Sequence, residues 1–273
     1  MALVMCPLNG SHEDVEVLEV LPDGRKRSWC PDCDYTWTQG AAWPTPGPRL
    51  SQWPPRDLPA AENVTLEAKA ATRRLQAEFL RQEYAGLDPR VPGFWSKYKR
   101  IFSEECLSTA DPADLRAFGT DTSGSNLGDQ RAFLRAFDKN PEYGAAQVRQ
   151  VVNYLLRGTD KPLEDRLTDI ITDRVSFAFP GFKEVLLSKV LSVAYQERFL
   201  TLLTYKHKSM AAKALFGLDL PPQSQSRIGQ QIVWSNDLLM GLVGDRFMHG
   251  PHAGEFLWWT LRQAANKRQL PQQ

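Results

Sequence analysis

The run PGFKEVLLSKVLSVA constrains this chain more than any other stretch. Over residues 182–194 it is apolar most of the way round at helical spacing, and a helix without a polar face is buried on all sides. It therefore calls for a helical body around it. Residues 147–157 supply one packing partner: Val148, Val151, Val152, Leu155 and Leu156 form a single stripe, and Gly158 is a natural stop. Lys189 breaks the apolar run. An unpaired buried ammonium is costly, so Lys189 is expected to reach a cleft or a bound anion.

The rest of the body follows the same reading. Residues 62–84 are rich in Ala, Leu, Glu and Arg, which are good helix formers. Residues 236–243 and 253–265 read as the last two helices, and Pro92-Gly93 and Pro180-Gly181 punctuate the region. No fixed-period repeat is present. The expected fold is mainly α: a helical domain over 61–273, as one unit or as two subdomains divided near 159, behind a small N-terminal β module.

That module spans 1–38 and has the outline of a zinc ribbon. Alternation at Val15, Val17 and Val20, the turn residues Pro22-Asp23-Gly24 and a return strand over 25–29 predict a hairpin, with a third short strand at 35–37. A ribbon holds zinc with two Cys-x-x-Cys turns. The second turn, Cys30-Pro31-Asp32-Cys33, is intact. The first is degenerate, because Asn9 follows Cys6-Pro7-Leu8 where a second cysteine is expected. The amide oxygen of Asn is a poor zinc ligand, and His12 lies near enough to replace it. The expected set is Cys6, His12, Cys30 and Cys33, with zinc as the cofactor; the alternative is a hairpin that has lost its metal. So small a hairpin buries little core, which favours the metal. Residues 39–60 form a semi-rigid linker carrying Pro44, Pro46, Pro48, Pro54, Pro55 and Pro59.

Composition narrows the function classes. A net charge of +1 over 273 residues announces no global basic field, so nucleic-acid contact has to come from local patches. Four cysteines, three of them in the ribbon-like segment, point to metal in a reducing compartment rather than a disulfide scaffold. No leader pattern and no long apolar span are seen, so a soluble, cytoplasmic protein without membrane contact is expected.

Catalytic patterns are weak. Asp57 with Glu67-Ala68-Lys69 has nuclease spacing, but the last three fall in an alanine-rich helix rather than on a strand beside a metal. His249, His252 and Glu255 straddle a helix start at Gly250-Pro251 and read as packing or capping residues. The loop over 121–128 lacks the Gly-Lys-Ser/Thr of a nucleotide loop and reads as a cap for a helix beginning near Asp129. Cys106 reads as a small buried hydrophobe. Two patches interleave bases with aromatics: Phe94-Trp95-Ser96-Lys97-Tyr98-Lys99-Arg100 and Tyr205-Lys206-His207-Lys208. Such patches suit phosphate contact with stacking, which makes Lys97, Tyr98, Lys99, Arg100, Tyr205, Lys206 and Lys208 the candidate nucleic-acid residues. The competing reading puts the aromatics in the core and leaves the lysines merely solvated.

The segments FWSKYKRIFSEE, VNYLLRGTDKPLEDRL, PGFKEVLLSKVL, ERFLTLLTYKHKSMAAKALFGLDLP, IVWSNDLLMGLVGDRF and HAGEFLWW occur in this order. As a set they resemble the helical region preceding the motor in McrB-like restriction ATPases or GTPases of actinobacterial type, over residues 94–259. The chain departs from that pattern in having no Walker loop, no second acidic motif and no nuclease. The resemblance implies recognition or adaptation rather than a motor: a non-catalytic, DNA-associated specificity protein of a restriction or anti-phage defence system, beside a separate motor or nuclease subunit. The rival readings are a protein-interaction scaffold that does not touch nucleic acid and, ranked last, an unrecognised nuclease.

Overall fold

The computed structural model describes residues 15–20, 26–31, 35–39, 57–82 and 90–269, apart from 124, 126, 159 and 248. The chain is mainly helical, as the sequence predicts. Three strands, β1 (Glu16–Val20), β2 (Lys26–Cys30) and β3 (Tyr35–Gln39), precede eleven helices among the described residues. These are α1 (Leu66–Leu80), α2 (Arg90–Ile101), α3 (Glu104–Leu107), α4 (Pro112–Phe118), α5 (Arg131–Lys139), α6 (Pro141–Arg157), α7 (Leu163–Ile171), α8 (Glu184–Ala194), α9 (Tyr205–Phe216), α10 (Ile228–Val243) and α11 (Gly250–Gln269).

The strands form an antiparallel meander in the order β1-β2-β3. Glu16 pairs with Trp29 and Cys30 with Tyr35, and the register slips between Val17 and Glu19. Such a slip adds a residue to one strand and sharpens its twist. Of the expected zinc ligands, Cys6, His12 and Cys33 lie outside the described residues, and Cys30 is placed by its backbone alone as the end of β2. Residues 40–56 of the expected linker also lie outside them.

The helices begin where local chemistry starts them. Thr65, Ser103, Asp111, Asn140 and Thr204 each accept a backbone N–H from the first turn of the helix they precede, satisfying a donor that has no partner within the helix. Pro112 and Pro141 occupy the first helical position, where the missing N–H costs nothing. At α5 the residue before the helix, Gln130, makes no side-chain cap, and among the described residues the cap comes from the end of the preceding polar stretch. Asp129 Oδ1 accepts the N–H of Arg131 at 2.9 Å.

The apolar run becomes α8, whose Leu186, Leu187, Val190, Leu191 and Val193 are fully buried. It packs against α6, α2 and α7. A second close packing joins α7 to α10. Gly229 permits it, since a Cβ there would stand 1.8 Å from the carbonyl oxygen of Glu164. At the far side, the Phe79 ring of α1 meets Phe247, Phe256 and Trp259 at 5.7 to 6.1 Å between centroids. One buried cluster runs from Val64 to Trp259, and α6 packs on α7 across residue 159. No helix of the described residues is long and apolar enough to cross a membrane.

Candidate nucleic-acid interface

The two basic and aromatic patches lie on α2 and α9. Helical spacing turns their aromatics inward. On α2, Val91, Phe94, Trp95, Tyr98 and Ile101 are buried; on α9, Tyr205, Lys208, Ala212 and Leu215 are buried. Tyr98 is 1% exposed and its hydroxyl donates to the Asp114 carbonyl at 3.2 Å. Burial, then the charges of Asp121 and Asp114, push its pKa well up. Tyr205 is 2% exposed, and its hydroxyl donates to the Pro221 carbonyl at 2.6 Å. Neither ring has a free face on which a base can stack, so both leave the candidate set, because their sequence periodicity places them in the core.

Lys208 leaves it too. Its side chain is 1% exposed, and its ammonium donates to the Ile232 carbonyl of α10 at 3.1 Å. Burial lowers its pKa to about 8 against the opposing pull of Glu184 and Asp237. Lys97 is half-exposed and pairs with Asp114 at 2.6 Å. Lys99, Arg100 and Lys206 remain as exposed cations. The patches belong to different neighbourhoods: α2 packs mainly on α3 and α8, and α9 on α1, α10 and α11.

Most of the body's other buried cations serve the fold in one way. The final carbonyls of a helix lack partners within it, and here lysines and arginines from elsewhere in the chain supply them. Lys189 donates to Phe118 O, the end of α4, at 2.9 Å and to Asp121 O in the following loop. It also lies over the rings of Phe94 and Phe118, 4.5 and 4.7 Å from their centroids. The expectation of a cleft or anion for Lys189 is thereby corrected: two carbonyls and two ring faces take that place. Burial lowers its pKa to about 7, with Asp121 opposing. Arg166 caps the end of α6 through Leu155 O at 2.6 Å and Tyr154 O at 3.1 Å. Lys183 caps α7 through Ile170 O at 2.9 Å.

The remaining polar features are also structural in their geometry. Arg198 holds Asp237 through two nitrogens, and the neighbouring Asn236 ties the Arg198 carbonyl and the Leu200 N–H to α10. His249 Nδ1 accepts the N–H of His252 at 3.1 Å, which makes it a cap for α11, and its ring meets Trp95 edge-on at 5.0 Å. Burial, then His252, pushes its pKa down to about 3. Among the described residues no group of three or more His, Cys, Asp or Glu is placed to hold a metal. In the loop over 121–128, Asp121 Oδ1 accepts from Ser123 N at 2.8 Å.

The sequence reading passed over a third basic helix. In α5, Phe133 and Phe137 are buried, while Arg131, Arg135 and Lys139 recur at four-residue steps on the exposed side. They line an open depression of about 740 Å³ together with Asp129 and Asp138. The signal was present in RAFLRAFDK as that four-residue recurrence, without the adjacent aromatic-basic alternation that marked the other patches.

Compared with family models, with curated proteins and with solved structures, the chain matches none.

Proposed function

We propose that the chain is a non-catalytic, DNA-associated specificity or adaptor protein of a restriction or anti-phage defence system, acting beside a separate motor or nuclease. One observation carries the DNA contact. The twelve residues of α2 contain four cations and no acid, and two of them, Lys99 and Arg100, are exposed with no acidic partner among the described residues. A rigid helix offering uncompensated cations suits phosphate oxygens, which position a protein on nucleic acid without reading its sequence. The place in a defence system comes from the resemblance of the helical segments. The N-terminal module is proposed to hold zinc on Cys6, His12, Cys30 and Cys33.

The test is binding of a labelled DNA duplex by the full chain across a salt series. Affinity is expected to fall steeply as salt rises, because each phosphate neutralised releases counterions. Reversing charge with Lys99→Glu and Arg100→Glu should weaken binding to all duplex sequences alike. Absence of binding at low salt overturns the reading in favour of a protein-interaction scaffold, for which the exposed Val17 and Leu18 of β1 are the supporting observation.

A further inference from the structure

Two ion pairs order three helices across one surface. Lys97 of α2 reaches Asp114 of α4 at 2.6 Å. Arg116 of α4 reaches Asp138 of α5 at 2.6 Å. Asp114 and Arg116 flank the buried Leu115, so they leave α4 on opposite sides. The α4 helix therefore lies between α2 and α5.

Helical phase then sorts the cations of α2. At about 100° per residue, Arg100 falls roughly 60° from Lys97 and Lys99 roughly 160°, so Arg100 is the nearer of the two to the Lys97–Asp114 pair, on the flank away from Phe94 and Tyr98, which meet Phe118 of α4. On α5, Arg131, Arg135 and Lys139 share the exposed face at intervals of about 6 Å along the axis.

The acids of this surface are already engaged: Asp114 by Lys97, Asp138 by Arg116, and Asp129 by Arg131 at 2.6 Å. Arg135 uses only its Nε, on the Arg131 carbonyl at 3.4 Å. Arg100 and Lys139 are exposed and make no ion pair with an acid among the described residues, and Arg135 feels Asp129 only at longer range, through its charge rather than a hydrogen bond. The pairs made by Arg116 and Arg131 are bidentate but exposed, and a phosphate offers the same forked acceptor geometry as a carboxylate, so both arginines are able to exchange one for the other.

We infer that the surface gripping the nucleic-acid backbone is a strip across α2, α4 and α5, with Arg100, Arg135 and Lys139 as its phosphate contacts and Arg116 and Arg131 as exchangeable ones. The inference rests on the proposed DNA association and locates it: the α5 depression belongs to the interface, and the exposed face of α9 around Lys206 does not.

The experiment uses the full chain and a labelled duplex at several salt concentrations, with the double variants Arg135→Glu/Lys139→Glu and Arg135→Gln/Lys139→Gln and the single variants Arg100→Glu and Lys206→Glu. All these positions are exposed, and circular dichroism checks that each variant folds. The glutamate double variant should weaken binding at least about tenfold at low salt. The glutamine double variant should lower the slope of log affinity against log salt by about two phosphate contacts. Arg100→Glu should weaken binding in the same direction, and Lys206→Glu should bind as wild type. Wild type that binds while both α5 double variants match it in affinity and slope overturns the strip and leaves DNA association standing. Loss of binding in Lys206→Glu equal to that of the α5 variants also overturns it. Wild type that fails to bind at low salt overturns DNA association, and the strip with it.

Discussion

Lys189 stands 2.9 Å from the carbonyl oxygen of Phe118, 71 residues away in sequence, and through that contact a cation from the middle of α8 closes the end of α4. The aromatic rings of Phe94 and Phe118 enclose it. Lys189→Met keeps the length of the side chain and strands two carbonyls, that of Phe118 buried and that of Asp121 half-buried. A buried acceptor left unsatisfied costs about 1–3 kcal/mol, and the half-buried one less, so urea unfolding should show a loss of about 2 kcal/mol. A change below about 0.5 kcal/mol would mean that water or a shifted loop replaces the ammonium at little cost.

The same burial sets a pH dependence. Lys189 is lowered to about 7 and Lys208 to about 8 from an ordinary value of 10.5. Between those limits the unfolded chain holds more protons than the folded one, so stability rises with pH across the window. Unfolding free energy should climb from pH 7 to pH 10 in the wild type. The climb should be smaller in Lys189→Met and in Lys208→Met. Equal slopes in all three proteins would show that neither lysine resists protonation in the fold.

His249 works in an acid window. Its pKa falls from 6.5 to about 3, so as pH drops below 6.5 the unfolded chain takes up a proton that the folded chain refuses, and stability is lost. Asn is a good N-cap, and His249→Asn keeps an acceptor for the N–H of His252 while removing the titration. At pH 7 the variant should be less stable than wild type by about 1–2 kcal/mol, for the lost contact with Trp95. Between pH 6.5 and 4 it should lose less stability than wild type does, which chemical denaturation at stepped pH will read.

Two glycines separate steric from conformational cost. Gly229→Ala drives a methyl into the Glu164 carbonyl and should destabilise by about 3 kcal/mol, at the upper end for overpacking. Gly217 has φ +68° at the end of α9, with open space around it. Gly217→Ala should cost only about 1 kcal/mol, the penalty of a left-handed conformation for a residue with a Cβ. Thermal melts of the pair will show whether α7 and α10 yield; equal costs would mean that they slide apart.

Protein purified without chelator should carry about one zinc per chain by elemental analysis, since a structural site is bound tightly near neutral pH. Cys30→Ser should lose it. His12→Ala should weaken metal affinity if His12 is the fourth ligand; unchanged affinity assigns that position elsewhere. Zinc-free wild type would sink the assignment altogether.

The helical body was legible because its strongest signals are periodic. The apolar run over 182–194 became α8, and the stripe over 147–157 became the later part of α6. The last two helices start earlier than predicted, at Ile228 and Gly250, because buried Gln231, Ser235 and His252 look polar in a list of residues and are core in the fold. The same limit misled the reading of Lys208. Its phase with Tyr205, Ala212 and Leu215 was readable and pointed inward, whereas its acceptor on Ile232 is a backbone atom of another helix. Local sequence cannot name such a partner, so a core lysine and a phosphate-binding lysine look alike until the tertiary contact is known.

Two polar side chains buried on α1 decide where this body can be cut. Thr72 donates to the Leu215 carbonyl at 3.3 Å and Gln76 to the Val243 carbonyl at 3.0 Å, so α1 finishes both α9 and α10. Further upstream, Asp57 anchors Arg227 at 2.6 Å. A fragment beginning at Arg90 would leave two helix ends bare and strip the cover from Phe256 and Trp259. Expression boundaries for the helical unit therefore belong before Asp57, within the proline-rich stretch, and protease trimming that stops there should yield a species that still melts cooperatively.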